Sequence, residues 1–314
     1  IAASPQWAVS AQVADHLCFH YRYDGLNRLT EKHVPGTEGA TEMVYDRRDR
    51  LVMTRDARQK AEGEWSYTRY DGLDRPVETG VVNSTQNRAE HQALADSAIG
   101  YPSPGRYPLT VTHYDDYVEV PQGQGLEPKN AHYAKAGLPA GFSQEGTVKG
   151  LATATRVRVA DTNDWLWTVT YYDGKYRPVQ VITRNTGGGT DASTTSYTFD
   201  GRPLKTCTEH TAPSLGGAPI AWTEELVYDE AGRVSEHRHT FEGGTTETLA
   251  AYTYNALGEQ VTEHQGGTHT GALQNIDKAY NVRGWLTAIN NAANLGSDLF
   301  AMELDYHGGA NPRY

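Results

Sequence analysis

Short stretches of alternating hydrophobic and polar residues recur along the chain. Residues 177–183 and 249–254 alternate with a period of two, and residues 222–228 do so immediately before a tyrosine. This period is that of a β-strand with one buried and one wetter face. Asp-Gly or Asn-Ala-Leu-Gly follows such stretches, and these residues favour tight turns. The sequence therefore predicts a series of strand–turn–strand units.

The turns belong to a motif of the form aromatic-Asp-Gly-x-x-Arg, which recurs with variations. Copies begin at Tyr23, Tyr45, Tyr70, Tyr172, Phe199 (a shortened copy), Tyr228, Tyr254, Tyr280 and Tyr306. The interval is 26 residues from Tyr228 to Tyr254 and again in the two copies that follow. A regular period of this length indicates an array of one supersecondary unit. Because a single hairpin is only marginally stable in water, the units are expected to pair edge to edge.

Each position of the motif has an expected structural role. We expect Tyr and Arg to stack across strands beside the Asp, from hairpin to hairpin. The Asp should bond its own backbone, and the Gly should adopt a positive φ in the turn. The residues predicted to carry the repeat are Tyr23, Asp24, Gly25, Arg28, Tyr45, Asp46, Tyr70, Asp71, Gly72, Arg75, Tyr172, Asp173, Gly174, Arg177, Tyr228, Asp229, Gly232, Arg233, Tyr254 and Tyr280.

With these units the chain resembles the YD-repeat, or RHS-repeat, family over roughly residues 17–85 and 165–314. Residues 150–157, 165–173 and 282–286 are similar to the large exported RHS-repeat proteins of Bacteroidetes. The resemblance implies an all-β fold whose successive antiparallel hairpins form a continuous curved sheet, part of a spiralling hollow shell. It also implies a secreted or cell-surface bacterial protein whose shell encloses or displays a C-terminal, toxin-like effector.

The chain departs from that family in the element that precedes the effector. The family's shell ends in an Asp-Pro-x-Gly segment, where an aspartate drives self-cleavage, but this sequence contains no Asp-Pro. No protease residues are therefore carried over, and the chain is expected to be wall material within a longer protein. Its expected partners are flanking repeats and the effector of the same chain. Two alternatives remain open: a surface adhesin that binds carbohydrate, and a secretion substrate bound to its export machinery.

The repeat fades between its two blocks. Residues 1–85 and 151–314 are predicted to be YD-repeat β strips, and residues 86–150 an irregular insertion or long loop. Within that insertion, residues 87–98 are compatible with a short helix, and only Tyr114-Asp115 is left of the motif. A long insertion at a hairpin tip is tolerated because loop-closure entropy grows slowly with length.

Composition and charge exclude several classes of protein. Twenty tyrosines and 32 glycines in 314 residues favour many short strands and turns. The net charge of −11 argues against nucleic acid as a partner, and no long apolar stretch predicts insertion into a membrane.

No catalytic chemistry is predicted, and neither a cofactor nor a metal is expected. His237 and His239 lie two apart on a predicted strand, but no third ligand is spaced to match them. Cys18 and Cys207 belong to no metal-binding or redox motif, and the sequence leaves open whether they are bridged. The motif aspartates are interpreted as turn residues, so the chain is expected not to be an enzyme.

Overall fold

The computed structural model describes residues 13, 17–98, 100–103, 105–139, 148–216, 218–267 and 271–306. The described residues form nineteen β-strands and three α-helices. The strands are β1 (His20–Tyr23), β2 (Leu29–His33), β3 (Thr41–Tyr45), β4 (Leu51–Arg55), β5 (Glu64–Tyr70), β6 (Pro76–Asn83), β7 (Arg106–Tyr114), β8 (Ala152–Arg158), β9 (Trp165–Tyr172), β10 (Pro178–Arg184), β11 (Thr190–Tyr197), β12 (Pro203–His210), β13 (Ile220–Tyr228), β14 (Val234–Phe241), β15 (Glu247–Tyr254), β16 (Gln260–Gln265), β17 (Gln274–Tyr280), β18 (Leu286–Ile289) and β19 (Met302–Glu303). The helices are α1 (Ala57–Glu62), α2 (Arg88–Ser97) and α3 (Asn130–Lys135), and Pro213–Leu215 form a 3₁₀ turn.

The chain divides into two compact units. The first comprises residues 1–119 and 148–167, and the second comprises residues 120–147 and 168–314. In the first unit, each strand from β1 to β8 pairs antiparallel with the next. In the second, the same holds from β9 to β19. The predicted all-β class with successive antiparallel hairpins is confirmed.

The hairpin turns of the motif share one geometry, which the first copy shows. The amide of Asp24 donates to the carbonyl of Arg28, and the amide of Asn27 donates back to the carbonyl of Asp24, both at 3.0 Å. Asn27 has a φ of 66°. A tight turn followed by one left-handed residue is a common three-residue hairpin loop, and it shifts the register by one. The shift occurs here between Arg22 and Tyr23.

The expected positive φ of the Asp-Gly glycine is confirmed at Gly201 and is wrong at Gly25 and Gly72. Neither Gly25 nor Gly72 has a positive φ. The left-handed residue lies four positions after the leading tyrosine, where Asn27, Asp74 and Gly232 stand. The hairpin loop needs its single left-handed residue just before the second strand, and Asn, Asp and Gly adopt that conformation most readily.

The copy predicted to begin at Phe199 begins instead at Tyr197. Gly201 is the left-handed residue, four positions after Tyr197, and the amide of Thr198 donates to the carbonyl of Arg202 at 2.8 Å. Thr198 thus occupies the aspartate position, while the Phe199 side chain is 95% exposed. The copy is full length. The sequence motif placed this copy two residues too late, because Thr198 stands at the aspartate position and Phe199-Asp200 resembles the aromatic-Asp pair.

Residues 86–150 are more regular than predicted, although 99, 104 and 140–147 lie outside the described residues. They include α2, β7 and α3. The compatible helix at residues 87–98 is present as α2, which Asn87 caps by accepting from the Glu90 amide at 3.1 Å. The true insertion is residues 116–150, at the tip of the hairpin that β7 and β8 form.

Each unit has its own buried side chains. In the first unit Val44, Met53, Trp65 and Tyr67 pack with Ala95 of α2. In the second, Leu126 and Tyr133 of the insertion are buried, as are Val169 and Ile182 of the strands. Of the helices that the structure describes, none is sufficiently long and apolar to cross a bilayer.

Candidate functional site

The motif residues form a ladder of side chains at the turn end of the hairpins. In the copies that have an aspartate, this residue organises its own turn. Asp46 Oδ1 accepts from the amides of Arg48 and Arg50 at 2.9 and 3.0 Å. The same bonds are made by Asp24, Asp71 and Asp173 to the residues two and four positions on. The predicted bonding of the aspartate to its own backbone is confirmed.

The arginine of each copy then holds that aspartate and reaches the next copy. Arg50 donates to Asp46 Oδ2 at 2.8 and 2.6 Å, and its other nitrogen donates to the Asp71 carbonyl at 3.2 Å. It also pairs with Asp74, the left-handed residue of the next turn, at 2.7 Å. Each further arginine–aspartate pair within one copy is 2.7–2.8 Å long: Arg28–Asp24, Arg75–Asp71, Arg177–Asp173 and Arg233–Asp229.

The tyrosine of each copy completes the connection in the other direction. Tyr70 donates its hydroxyl proton to the carbonyl of Leu51 at 3.0 Å. Among the described residues the same bond recurs from Tyr45 to Leu29, Tyr114 to Pro76, Tyr197 to Pro178, Tyr228 to Pro203, Tyr254 to Val234, Tyr280 to Gln260 and Tyr306 to Leu286, at 2.5–3.1 Å. In every case the acceptor is the residue that follows the arginine position of the preceding copy.

The expected stacking of arginine on tyrosine occurs between consecutive copies. The Arg50 guanidinium carbon lies 4.9 Å from the centre of the Tyr70 ring. Equivalent contacts of 4.3–5.3 Å are Arg28–Tyr45, Arg75–Tyr114, Arg177–Tyr197, Arg202–Tyr228 and Arg233–Tyr254. Such contacts add to the hydrogen bonds of the same side chains. The first copy begins at Tyr23, which is 58% exposed.

The copies that begin at Tyr254 and Tyr280 lack the aspartate–arginine ion pair but keep the turn. In one, Asn255 accepts from the amides of Leu257 and Glu259, and its own amide donates to the Glu259 carboxylate at 2.6 Å. In the next, Asn281 accepts from the Trp285 amide at 3.1 Å, and the Trp285 ring contacts Tyr306 with centroids 5.1 Å apart. Asparagine therefore suffices for the turn, whereas the arginine serves the link to the next copy.

The ladder of the first unit extends to the hairpin that carries the insertion. Tyr114 takes the tyrosine position, and Arg75 makes two bonds of 3.1 and 2.6 Å to the Asp115 carboxylate. Arg75 and the Gly150 amide hold the pKa of Asp115 well below its usual range. The Asp115 amide donates to the Leu151 carbonyl at 3.1 Å, which closes the base of the insertion.

The electrostatics of the ladder are those of paired, ionised carboxylates. Burial alone would raise the pKa of Asp46, but the hydrogen bonds from Arg50 outweigh it and the pKa is lowered. For Asp24, backbone hydrogen bonding to Arg28 is the main reason that the pKa is lowered. A general acid at neutral pH needs the opposite shift. The ladder carboxylates are therefore poorly suited to acid–base catalysis.

The insertion packs on strands of the second unit through polar contacts that were not predicted. Gln180 is fully buried, accepts from the Lys129 amide at 2.8 Å and donates to the Lys129 carbonyl at 3.2 Å. Glu209 pairs with Lys129 at 2.8 Å and with His132 at 3.1 Å. Only long-range packing brings these residues together, so no local sequence pattern marks them.

The histidines and cysteines singled out from the sequence lie apart from any cluster of ligands. His237 lies 3.3 Å from Glu224, and the His239 ring meets Phe241 edge-on with centroids 4.6 Å apart. Within the described ranges, no group of three or more His, Cys, Asp or Glu side chains is arranged to hold a metal. Cys18 and Cys207 are both free thiols.

No protein-family model matches the sequence. No curated protein matches it either. Among solved structures, the chain is similar to a chain in a structure of the Photorhabdus luminescens Tc holotoxin pore, with 10% identity and a TM-score of 0.29. The match covers 86% of this chain but only 13% of that one.

Proposed function

We propose that this chain is a non-catalytic structural segment of an RHS/YD-repeat shell. The shell would enclose or display a C-terminal, toxin-like effector in a secreted or cell-surface bacterial protein. The observation that carries the proposal is the ladder, in which the tyrosines, and in most copies an arginine, join consecutive hairpins. A wall built from hairpins requires such a link at every step, since each repeat contacts mainly its neighbours.

The carboxylates that acid–base catalysis would require are already bonded within the ladder. Asp46 and Asp71 are each committed to an arginine and to backbone amides. The same argument weakens carbohydrate binding as an alternative, because tyrosines such as Tyr70 and Tyr254 donate their hydroxyls to the ladder. Abundant tyrosine is therefore explained without a sugar ligand.

The proposed partners follow from the sheet edges and the charge. Exposed edge strands invite pairing with further strands, so flanking repeats of the same chain are the proposed cover for β1 and β19. A net charge of −11 disfavours nucleic acid.

Protease protection in the full-length polypeptide tests this function. The polypeptide would be purified from its source, its C-terminus mapped by mass spectrometry, and the module that follows the repeats digested with a nonspecific protease. We expect that module to survive in the native protein and to be cut when Arg50→Met and Arg177→Met loosen the ladder. The matched control is Arg58→Met, which removes an arginine that is 83% exposed and pairs with the neighbouring Glu62.

Two outcomes would count against the proposal. If the C-terminal module is digested at the same rate in the native protein and in the ladder variants, the repeats do not enclose it. If no module follows the repeats, the effector part of the proposal is wrong.

A further inference from the structure

A stack of cations and aromatic rings in the first unit lies outside the ladder. The Arg156 guanidinium carbon lies 4.7 Å from the ring centre of Trp165 and 5.2 Å from that of Trp167. Arg158 lies over the same Trp165 ring at 4.6 Å and over the Tyr107 ring at 4.4 Å. Two arginines are thus interleaved with three rings, and these five side chains are called the arginine–aromatic stack.

Neither arginine of this stack is paired with a carboxylate of the described residues. Arg158 donates from Nε to the Pro108 carbonyl at 2.8 Å and from a terminal nitrogen to Asn163 Oδ1 at 3.2 Å, and both acceptors are neutral. Arg156 Nε is buried and has no acceptor in the described part of the chain. The ladder arginine Arg50, in contrast, pairs with two aspartates. The stack therefore carries two uncompensated positive charges in a chain whose net charge is −11.

The terminal N–H groups of Arg156 are available to a ligand. The residue is only partly buried. Its two terminal nitrogens, unlike Nε, retain accessible surface and bond to no described residue. The contacts with Trp165 and Trp167 hold the guanidinium over aromatic rings and do not use these donors. A guanidinium held in this way can donate two parallel hydrogen bonds to one carboxylate.

The charge of Arg156 is felt at a neighbouring histidine. The His113 ring is stacked on Trp167, with centroids 5.5 Å apart and 15° between the planes. Burial is the main reason that the pKa of His113 is lowered, and the charge of Arg156 adds to it. Asp116 and Glu119 act on that pKa in the opposite direction, each more weakly than Arg156. The surroundings of Arg156 thus favour a negatively charged ligand.

The spacing of the two arginines indicates the form of that ligand. Arg156 and Arg158 stand two residues apart on β8, so their side chains leave one face of the strand about 7 Å apart. An extended peptide presents its residues i and i+2 with the same spacing. We propose that the arginine–aromatic stack binds an extended acidic peptide segment, whose carboxylates at positions i and i+2 accept hydrogen bonds from Arg156 and Arg158. Clusters of arginines are a common means of recognising acidic motifs. This site is independent of the ladder and of its role in a wall.

The test uses three dye-labelled peptides and the intact protein. Thr-Asp-Thr-Asp-Thr places both carboxylates on one face of an extended chain, whereas Thr-Asp-Asp-Thr-Thr has the same composition and charge with the carboxylates on opposite faces. Thr-Asn-Thr-Asn-Thr is the neutral control. Fluorescence polarisation at low ionic strength gives the affinities. We expect the first peptide to bind about tenfold more tightly than the second, because the second can place only one carboxylate on its arginine. The neutral peptide should not bind.

Variants connect this preference to Arg156. Arg156→Gln removes the charge, and Arg156→Lys keeps the charge but loses the planar pair of donors. Both should weaken binding of the first peptide about tenfold. The matched control Arg58→Gln, which removes an exposed arginine paired with Glu62, should bind it as the native protein does.

The position of binding is read from protein labelled with ¹⁵N at arginine. The Nε resonance that is absent in Arg156→Gln should shift saturably when the first peptide is added to the native protein. The comparison of the two acidic peptides uses native protein alone, so it remains decisive if an Arg156 variant fails to fold. Equal binding of the two acidic peptides, binding of neither, or native affinity in either Arg156 variant would overturn the proposal.

Discussion

The Tyr70 hydroxyl donates to the Leu51 carbonyl at 3.0 Å, so a side chain of one repeat closes on the backbone of the repeat before it. The Arg50 guanidinium lies over the same ring, 4.9 Å from its centre. One tyrosine is therefore held from two sides by the preceding copy.

Arg50→Met should destabilise the first unit by about 2 kcal/mol, in the range for hydrogen bonds to charged groups. The substitution keeps an unbranched apolar stem but leaves the nearly buried Asp46 carboxylate without its cation. Urea unfolding followed by circular dichroism measures the loss. The control Arg58→Met should leave the urea midpoint almost unchanged, since it removes an exposed pair within one helix. Equal losses of stability in the two variants would show that Arg50 contributes no more to stability than an exposed arginine does.

Tyr70→Phe should cost about 1 kcal/mol, because it removes one hydroxyl–carbonyl hydrogen bond and keeps the ring beneath Arg50. Tyr23→Phe is the matched control, since Tyr23 begins the first copy and is 58% exposed. Thermal unfolding of both variants under the same conditions gives the comparison. If Tyr23→Phe lowers the melting temperature as much as Tyr70→Phe does, the proposed link between copies is not the cause.

The stability of the protein should fall in acid through the ladder aspartates. Asp46 and Asp71 have folded pKa values below 3.8, so these groups bind protons less tightly in the folded state than in the unfolded state. Their contribution is complete above pH 3.8 and is lost as the pH falls through the lower, folded pKa. Asp46→Asn should flatten the dependence of the urea midpoint on pH below that value.

The Asn at position 255 shows that the substitution is sterically acceptable in this turn. Asp46→Asn should therefore keep the hairpin while losing the titration. An acid-induced loss of stability that is unchanged in Asp46→Asn would assign the effect to other carboxylates.

Tyr176→Asn should stabilise the second unit by about 1 kcal/mol. Tyr176 has a φ of 63°, a conformation that costs an ordinary residue roughly 1–2 kcal/mol and that asparagine adopts more easily. Asn27 already occupies this position of the motif in the first copy. The control is Glu230→Asn, an exposed turn residue outside the left-handed position. A lower melting temperature for Tyr176→Asn would mean that the tyrosine ring contributes more than its backbone strain costs.

Local sequence patterns were sufficient to predict the hairpins. Contacts between residues distant in sequence could not be predicted from such patterns. Asp24 and Asp71 mark turns because their side chains bond the local backbone, which is a property of neighbouring residues. Thr198 makes the same turn with a different side chain, so a motif defined by aspartate missed it. The cluster of His91 with Trp65 joins α2 to β5 across residues that are not close in sequence. No local spacing could have indicated that contact.

Gln180→Leu should loosen the packing of the insertion on strands β10 and β11 of the second unit. The Gln180 side chain pairs with both backbone groups of Lys129 and donates to the Thr194 hydroxyl at 2.7 Å. Leucine fills a similar volume but leaves those buried polar groups unpaired, which costs about 1–3 kcal/mol for each group that stays dry. We expect faster tryptic cleavage at Lys129 and Lys135 in this variant. Gln122→Leu, which changes a glutamine of the insertion that donates to the nearby Val120 carbonyl, is the control. Cleavage at the native rate in Gln180→Leu would show that Glu209, through Lys129 and His132, holds the insertion without Gln180.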